Sequence, residues 1–350
     1  MIHDMMAAEV ATMGNFPSIL CLILLSLSLL TTPLSAATWH VPADYPTLEE
    51  AVEAAQEGDT IQLAPGTYPG PFSVTKGVEI KGNPQAPQNV VLAVTSFWLG
   101  SPAGTTLNGL TLSGQDCHDS AGIADQVMIQ DCVFEEFDFV DSWGITLFFA
   151  EAQFLRCTVR NNRSDGAMFW ILQNSSQIQF QQCRFLHNAG GVAGVITQFG
   201  TSPVLVHECL FLGNHCTGDG GAIQGGSGMT IDSCRFEANS AEQKGGALAG
   251  SGNDPCLILN STFVGNSAAK GGALAADQVF EIVVENTDFS LNEADVGPQG
   301  WLEWGCVTSM TCCQADLDRW AGSGTVTLDN TGCTVGSELA SWSQVKAMFR

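Results

Sequence analysis

The sequence predicts an all-β solenoid, a parallel β-helix of stacked rungs, and three observations carry that prediction. The first is a repeat. Between Cys132 and Phe289 one unit recurs as DCVFEEF, RCTVRNN, QCRFLHN, ECLFLGN, SCRFEAN, NSTFVGN and NTDFSLN. Its second residues, Cys132, Cys157, Cys183, Cys209, Cys234, Ser261 and Thr287, lie 25, 26, 26, 25, 27 and 26 positions apart. A period of this length marks a unit that cannot bury its apolar face alone and must stack on copies of itself. The second observation is alternation inside the unit, as in Met229-Thr230-Ile231, with each short run closed by Gly, Asn, Asp or Ser. That pattern is strand and turn, not helix. The third is a glycine pair before the next strand, in Gly220-Gly221-Ala222-Ile223, Gly245-Gly246-Ala247-Leu248 and Gly271-Gly272-Ala273-Leu274. Paired glycines suit a tight bend with positive φ.

About 26 residues divided among short strands and turns make one rung. Stacking lays Cys on Cys, Phe on Phe and Asn on Asn. The Cys132, Cys157, Cys183, Cys209 and Cys234 column and the Phe column are expected inside. The Asn188, Asn214, Asn239, Asn266 and Asn292 column is expected to satisfy backbone groups at a turn, bonding to the rungs above and below. Two copies depart from the unit: Phe137 stands where Asn is expected, and Val159 where Phe is expected.

The FxxN and GGA(I/L) elements resemble the repeat of the polymorphic outer-membrane proteins of chlamydiae and related bacterial surface proteins. More broadly, the chain resembles the right-handed parallel β-helix proteins of the pectin-lyase-like group. The segment from Val41 to Tyr68, VPADYPTLEEAVEAAQEGDTIQLAPGTY, is similar to the opening of many such proteins. The resemblance implies a short capping helix, a GDTI strand and a PGTY turn. The residues agree, since Thr47 and Glu50 form a T-x-x-E capping box and Leu48, Val52 and Ala55 share one helical face. The resemblance is specific for fold and silent on activity, because this fold carries lyases, hydrolases, epimerases, adhesins and proteins without chemistry.

The organisation expected is a secretion signal over 1–37, a β-helix with its N-terminal cap over 38–300, and a Cys-rich C-terminal cap over 301–350. Leu20 to Leu30 is an apolar run with serines, too short for a comfortable membrane span, and Ala36-Ala37 offers a small-residue cleavage site. No Lys or Arg precedes the run, and Met13 is an alternative start. The expectation is export to the periplasm, cell surface or medium, with no transmembrane span after cleavage. No stretch reads as a C-terminal β-barrel, which the chlamydial proteins usually carry. The tail from Ser337 to Arg350 reads as a short amphipathic capping helix.

Removing Asp4 and Glu9 from 36 acidic residues leaves 34 against 12 basic ones, a balance of −22. Nucleic acid and anionic membranes are excluded as partners, since both need basic patches. Polyuronates are disfavoured unless Ca²⁺ bridges the anions. One elongated domain is expected from the quasi-one-dimensional stacking. The exchange of cysteine for Ser261 and Thr287 within one column indicates packing, and one residue per rung cannot form a tetrahedral metal cage. Cys306, Cys312, Cys313 and Cys333 lie beyond the repeat, where a disulfide-tied cap is expected; three pairings remain open.

Catalytic β-helices carry their residues on the outer face of one strand stack. Asp116, His118 and Asp119, in Asp116-Cys117-His118-Asp119, resemble the D-P-H-D signature of mannuronan epimerases without its proline. The resemblance implies a sugar-ring site there. Glu135, Glu136 and Asp138 are candidates to collect a Ca²⁺ with backbone carbonyls. Trp98, Trp143 and Trp170, with Arg160, are candidates for binding, because exposed aromatic rings stack on sugar rings. Two functions follow. One is an exported, non-catalytic recognition or adhesion module for a glycan or envelope component, requiring no cofactor. The alternative is a polysaccharide lyase or uronan epimerase acting at Asp116, His118 and Asp119, helped by Ca²⁺. Oligomeric state is not encoded in any feature of the sequence.

Overall fold

Each rung is built by alternation and turned by single residues in left-handed conformation. A computed structural model describes residues 35–331 except 115, 116, 118–120, 140, 279 and 304. From Thr38 onward the described chain is an all-β parallel solenoid, and every strand pairing between rungs is parallel. The rung starting at Phe169 shows the plan. Phe169–Ile171 forms the first stack, Gln177–Gln181 the second, Arg184–Leu186 the third, and Ala189–Gly190 a short fourth. The next rung repeats it as Ile196–Gln198, Val204–His207, Leu210–Leu212 and His215–Cys216.

The corners explain the invariant spacing of the unit. The residue before each Cys-column position is left-handed: Asp131, Arg156, Gln182, Glu208, Ser233, Asn260 and Asn286 have φ between 48° and 56°. The residue before each Asn-column position is too, from Glu136 (58°) through Gly213 (63°) and Gly265 (63°) to Leu291 (55°). One left-handed residue re-aims the chain between strands, so the three-residue third stack is bounded by two such bends.

The columns fill the interior. Phe185, Phe211, Phe236, Phe263 and Phe289 stack with centroids 4.5, 4.7, 4.7 and 5.1 Å apart and nearly parallel planes. Where Val159 leaves a gap, Phe154 and Phe169 move in from the other stacks, 6.4 and 6.2 Å from Phe134. The Cys residues are buried, and their thiols donate to carbonyls one rung back, as Cys209 Sγ does to Phe180 O at 3.3 Å. Ser261 and Thr287 accept the same backbone N–H bonds that Cys209 and Cys234 accept.

The asparagines form a continuous buried ladder. Asn239 Oδ1 accepts from Asn214 N (3.0 Å) and Asn214 Nδ2 (2.9 Å), while its Nδ2 donates to Phe211 O and Asn266 Oδ1, both at 3.0 Å. The pattern runs from Asn162 to Asn292. Phe137 cannot join it by its side chain, yet its backbone N–H donates to Asn162 Oδ1 at 3.0 Å. Its ring stacks on Phe139 instead, 5.1 Å away.

Gly220, Gly245 and Gly271 have φ of 71°, 62° and 66°. A Cβ there would sit 2.1–2.2 Å from the carbonyl of the residue three places on, so no other residue fits this bend. At the N-terminus, α1 (Leu48–Ala54) is capped by Thr47, whose hydroxyl accepts from Glu50 N at 3.2 Å. Its buried residues are Leu48 and Ala51, with Ala55 following, while Val52 is only half-buried against the core. Ala51 thus takes the inner position that the helical spacing had given to Val52.

Stacked strands run on past residue 300, as Gly300–Leu302, Val307–Thr311, Trp320–Gly322 and Thr325–Asp329. Cys306 and Cys313 are free buried thiols here, a correction to the expected disulfide-tied cluster. Cys313 lies one period after Thr287, and its thiol donates to Val284 O at 3.6 Å, so it extends the packing column. Cys312 is disulfide-bonded. Residues 1–34, Cys333 and the segment from Ser337 lie outside the described residues.

Candidate binding face

Outward residues of the first stack fall in one row across successive rungs. The register aligns Trp98 with Gly122, Gly122 with Thr146, Thr146 with Trp170, and Trp170 with Thr197. Their chain neighbours Phe97, Leu99, Ile123, Ile145, Leu147, Phe169 and Ile171 point inward and are buried. This strict alternation puts Trp98 and Trp170 on the outer face.

Trp170 is 4% exposed, yet it packs outside the main core with Ala167 and Ala193. It lies across Gly166, where a Cβ would meet the indole at 2.7 Å. Trp143 meets it edge-on at 4.6 Å, and Phe199 stacks on it at 5.1 Å and 3°. Both outer rings are open to solvent, Trp143 at 62% and Phe199 at 48%. The buried Nε1 of Trp170 has no hydrogen-bond partner among the described residues. A second group lies further along the row. Trp98 covers Gly122 and sits 5.0 Å from Phe148, which in turn meets the exposed Phe149 at 6.4 Å.

The segments carrying this ledge, residues 141–149, 165–172 and 195–200, contain Asp141 and Asp165 and no Lys or Arg. Asp141 N donates to the Asp165 carboxylate at 2.9 Å, which ties the Trp143 turn to the next rung. The structure therefore brings Trp143 and Trp170 together and aligns Trp98 with them. Phe199 was not singled out by sequence. The signal was available, because it follows Trp170 by about one period.

Arg160 is not part of this face. It lies on the third stack and is paired with Glu135, whose carboxylate accepts from Arg160 Nε at 2.7 Å. That pairing also commits one of the three acids considered for Ca²⁺. Glu136 occupies a left-handed corner, and Asp138 sits beside Arg163 in the short stack. Among the described residues no group of three or more His, Cys, Asp or Glu side chains is arranged to hold a metal ion. Asp116, His118 and Asp119 lie outside the described residues. A larger cleft, about 480 Å³, borders α1, lined by Pro42, Pro46, Pro69 and Tyr68. The Tyr68 hydroxyl is spent on the carbonyls of Ala64 and Val41, so this is a seam of the cap.

Buried thiols behave as packing groups. Burial pushes Cys132, Cys216 and Cys256 up to about 12, far from any nucleophilic role at neutral pH. Burial also raises Asp219, against the pull of Lys244. Lys244 pairs with Asp277 at 2.6 Å and lies 5.0 Å over the Trp301 ring.

Residues 124–289 match the family described as the right handed beta helix region. With the parallel pairing above, this defines the class: a right-handed parallel β-helix. No curated protein matches the chain. Among solved structures, a polygalacturonase from Erwinia carotovora ssp. carotovora is similar over 85% of this chain and 95% of its own, at 13% identity and a TM-score of 0.33. No described helix is long and apolar enough to cross a membrane.

Proposed function

We propose that this protein is an exported, non-catalytic β-helix module that recognises a glycan or another envelope component at the cell surface or outside the cell. The observation that carries the reading is the aromatic ledge. Trp143 and Phe199 keep open rings against Trp170, Trp143 from the turn before Ile145–Leu155 and Phe199 from the residue after Ile196–Gln198. Exposed rings gathered in one place contribute nothing to the main core and mark a surface suited to a partner that covers them. Sugar rings present apolar C–H faces to such a surface and hydroxyls to the water around it. Contact with the buried Trp170 positions both rings, which lowers the ordering cost on binding.

The test is retention of the chain from residue 38 onward on immobilised glycans, including alginate and pectate, with and without Ca²⁺. Trp143→Ala and Phe199→Ala should each lose retention while keeping the far-ultraviolet spectrum. Unsaturated product, or epimerised alginate seen by NMR, that disappears in His118→Ala would replace this reading with the enzyme.

A further inference from the structure

We propose that the binding face turns the corner at Phe149 into a cleft of about 260 Å³ on the second stack, and that its ligand is a neutral, hydroxyl-rich chain, not a polyuronate. This deepens the glycan reading and rests on it. A single strand, Ile145–Leu155, joins the two places. Thr146 stands beside Trp170 on the first stack, while Glu151 and Gln153 face outward on the second. Between them Phe149 is left-handed (φ 51°) and 65% exposed. A bulky aromatic in that conformation costs about 1–2 kcal/mol, and exposed it contributes little packing in return. One rung earlier the left-handed corner is Asp125, which pairs in register with Ala150 across the bulge and is a residue type that tolerates the conformation. Corner geometry alone therefore does not call for a phenyl ring. A ring placed there continues the Trp98 and Phe148 group over the edge.

Thr106, Gln126, Met128, Glu151 and Gln153 line the cleft beyond. Among the described residues, the side chains of Thr106, Gln126, Glu151 and Gln153 form no hydrogen bond or ion pair with the rest of the protein. Amides and hydroxyls both donate and accept, as sugar hydroxyls do, and Met128 offers an apolar patch at 38% exposure. Glu151 is the one ionisable group of the lining, and it is an acid. The nearest arginines in sequence are paired: Arg156, at the corner before Cys157, with Asp131, and Arg160, on the third stack beyond it, with Glu135. Among the described lining residues a carboxylated sugar finds no cation and meets the like charge of Glu151; the outward amine of this stack, Lys81, pairs in register with Asn108, one rung and two places from Thr106. From Phe149 to Gln153 the strand advances about 13 Å, room for a chain of several rings and not for one.

The experiment is titration calorimetry with neutral β-1,4-linked hexasaccharides of glucose, xylose, mannose and N-acetylglucosamine, their disaccharides, and hexagalacturonate. At least one neutral hexasaccharide should bind on the order of tenfold more tightly than hexagalacturonate. Phe149→Gly keeps the left-handed corner while removing the ring. That variant and the pair Gln126→Ala with Gln153→Ala should each weaken the hexasaccharide by about tenfold, the loss of one stacked ring or its equivalent in hydrogen bonds. Disaccharide binding at the ledge should stay unchanged. If Trp143→Ala removes binding but the corner and cleft variants do not, the ledge stands and the extended site falls. Equal or tighter binding of hexagalacturonate overturns the neutral class. Binding that ignores Trp143→Ala, or no binding by any probe, sinks the glycan reading itself.

Discussion

Asn239→Ala should be among the most damaging small substitutions in the molecule, matched by the same change at Asn188, Asn214 and Asn266. Asn239 is completely buried and makes four side-chain bonds, to Asn214 N, Asn214 Nδ2, Phe211 O and Asn266 Oδ1. At a net value of about 1 kcal/mol per bond the loss is about 4 kcal/mol, and the stranded backbone N–H of Asn214 adds about 1–3 more. The end of the ladder calibrates this. Asn292 makes three such bonds, accepting from Asn266 N and Nδ2 and donating to Phe263 O, so Asn292→Ala should cost about 3 kcal/mol, with the same addition of about 1–3 for the stranded Asn266 N–H, about 1 kcal/mol less than Asn239→Ala. Cys209→Ser is the internal control. Ser261 already accepts from Cys234 N at 3.1 Å and donates to Leu259 O at 2.7 Å in the same column, so the exchange should stay within about 1 kcal/mol. Urea unfolding followed by circular dichroism gives the three values, and amide exchange at Asn214 locates the loss. An Asn239→Ala cost below that of Cys209→Ser would refute the ladder as the source of rung-to-rung stability.

Other outcomes follow from the same geometry. Phe236→Ala, which removes a fully buried ring from the stack, should cost about 3–5 kcal/mol; Phe199→Ala, half-exposed, should cost far less and act on glycan retention instead, and thermal melts beside retention assays separate the two. Stability should fall at high pH: Cys132 and Cys256 ionise near 9.0 when unfolded but only near 12 when folded. Between those values the unfolded chain holds fewer protons, so the contribution is intact below pH 9 and declines by about 4 kcal/mol per thiol by pH 12; the decline should shrink in Cys256→Ala, and an identical pH profile in that variant contradicts the assignment. Arg160→Ala breaks a half-exposed pair, so melting should show a change within about 1 kcal/mol, with glycan retention unaltered.

The repeat made the solenoid legible because its period, its Phe and Cys columns and its glycine pairs all describe one rung. The Asn column was legible for the same reason, since a polar residue recurring at a buried position must satisfy its neighbours. What sequence could not separate was inward from outward aromatics in the irregular rungs. Phe97 and Phe169 are core, while Trp98 and Trp170, each one residue later, face out. One step of register decides the matter, and the bulge between Leu147 and Ala150 shifts it locally. Arg160 shows a different gap. Its pairing with Glu135 depends on residues 25 positions apart lying side by side, and the period announces that only once the stacking is accepted. Cys313 was assigned to a cap because its neighbours leave the Phe–Asn pattern, yet it keeps the Cys period and stays in the column.

Affinity electrophoresis of the chain from residue 38, through gels with and without dissolved neutral polysaccharides, tests the aromatic ledge most directly. The account predicts retardation in at least one such gel, abolished by Trp143→Ala and unchanged by Arg160→Ala. Mobility that is the same in every gel, or retardation that survives the loss of Trp143, would contradict it.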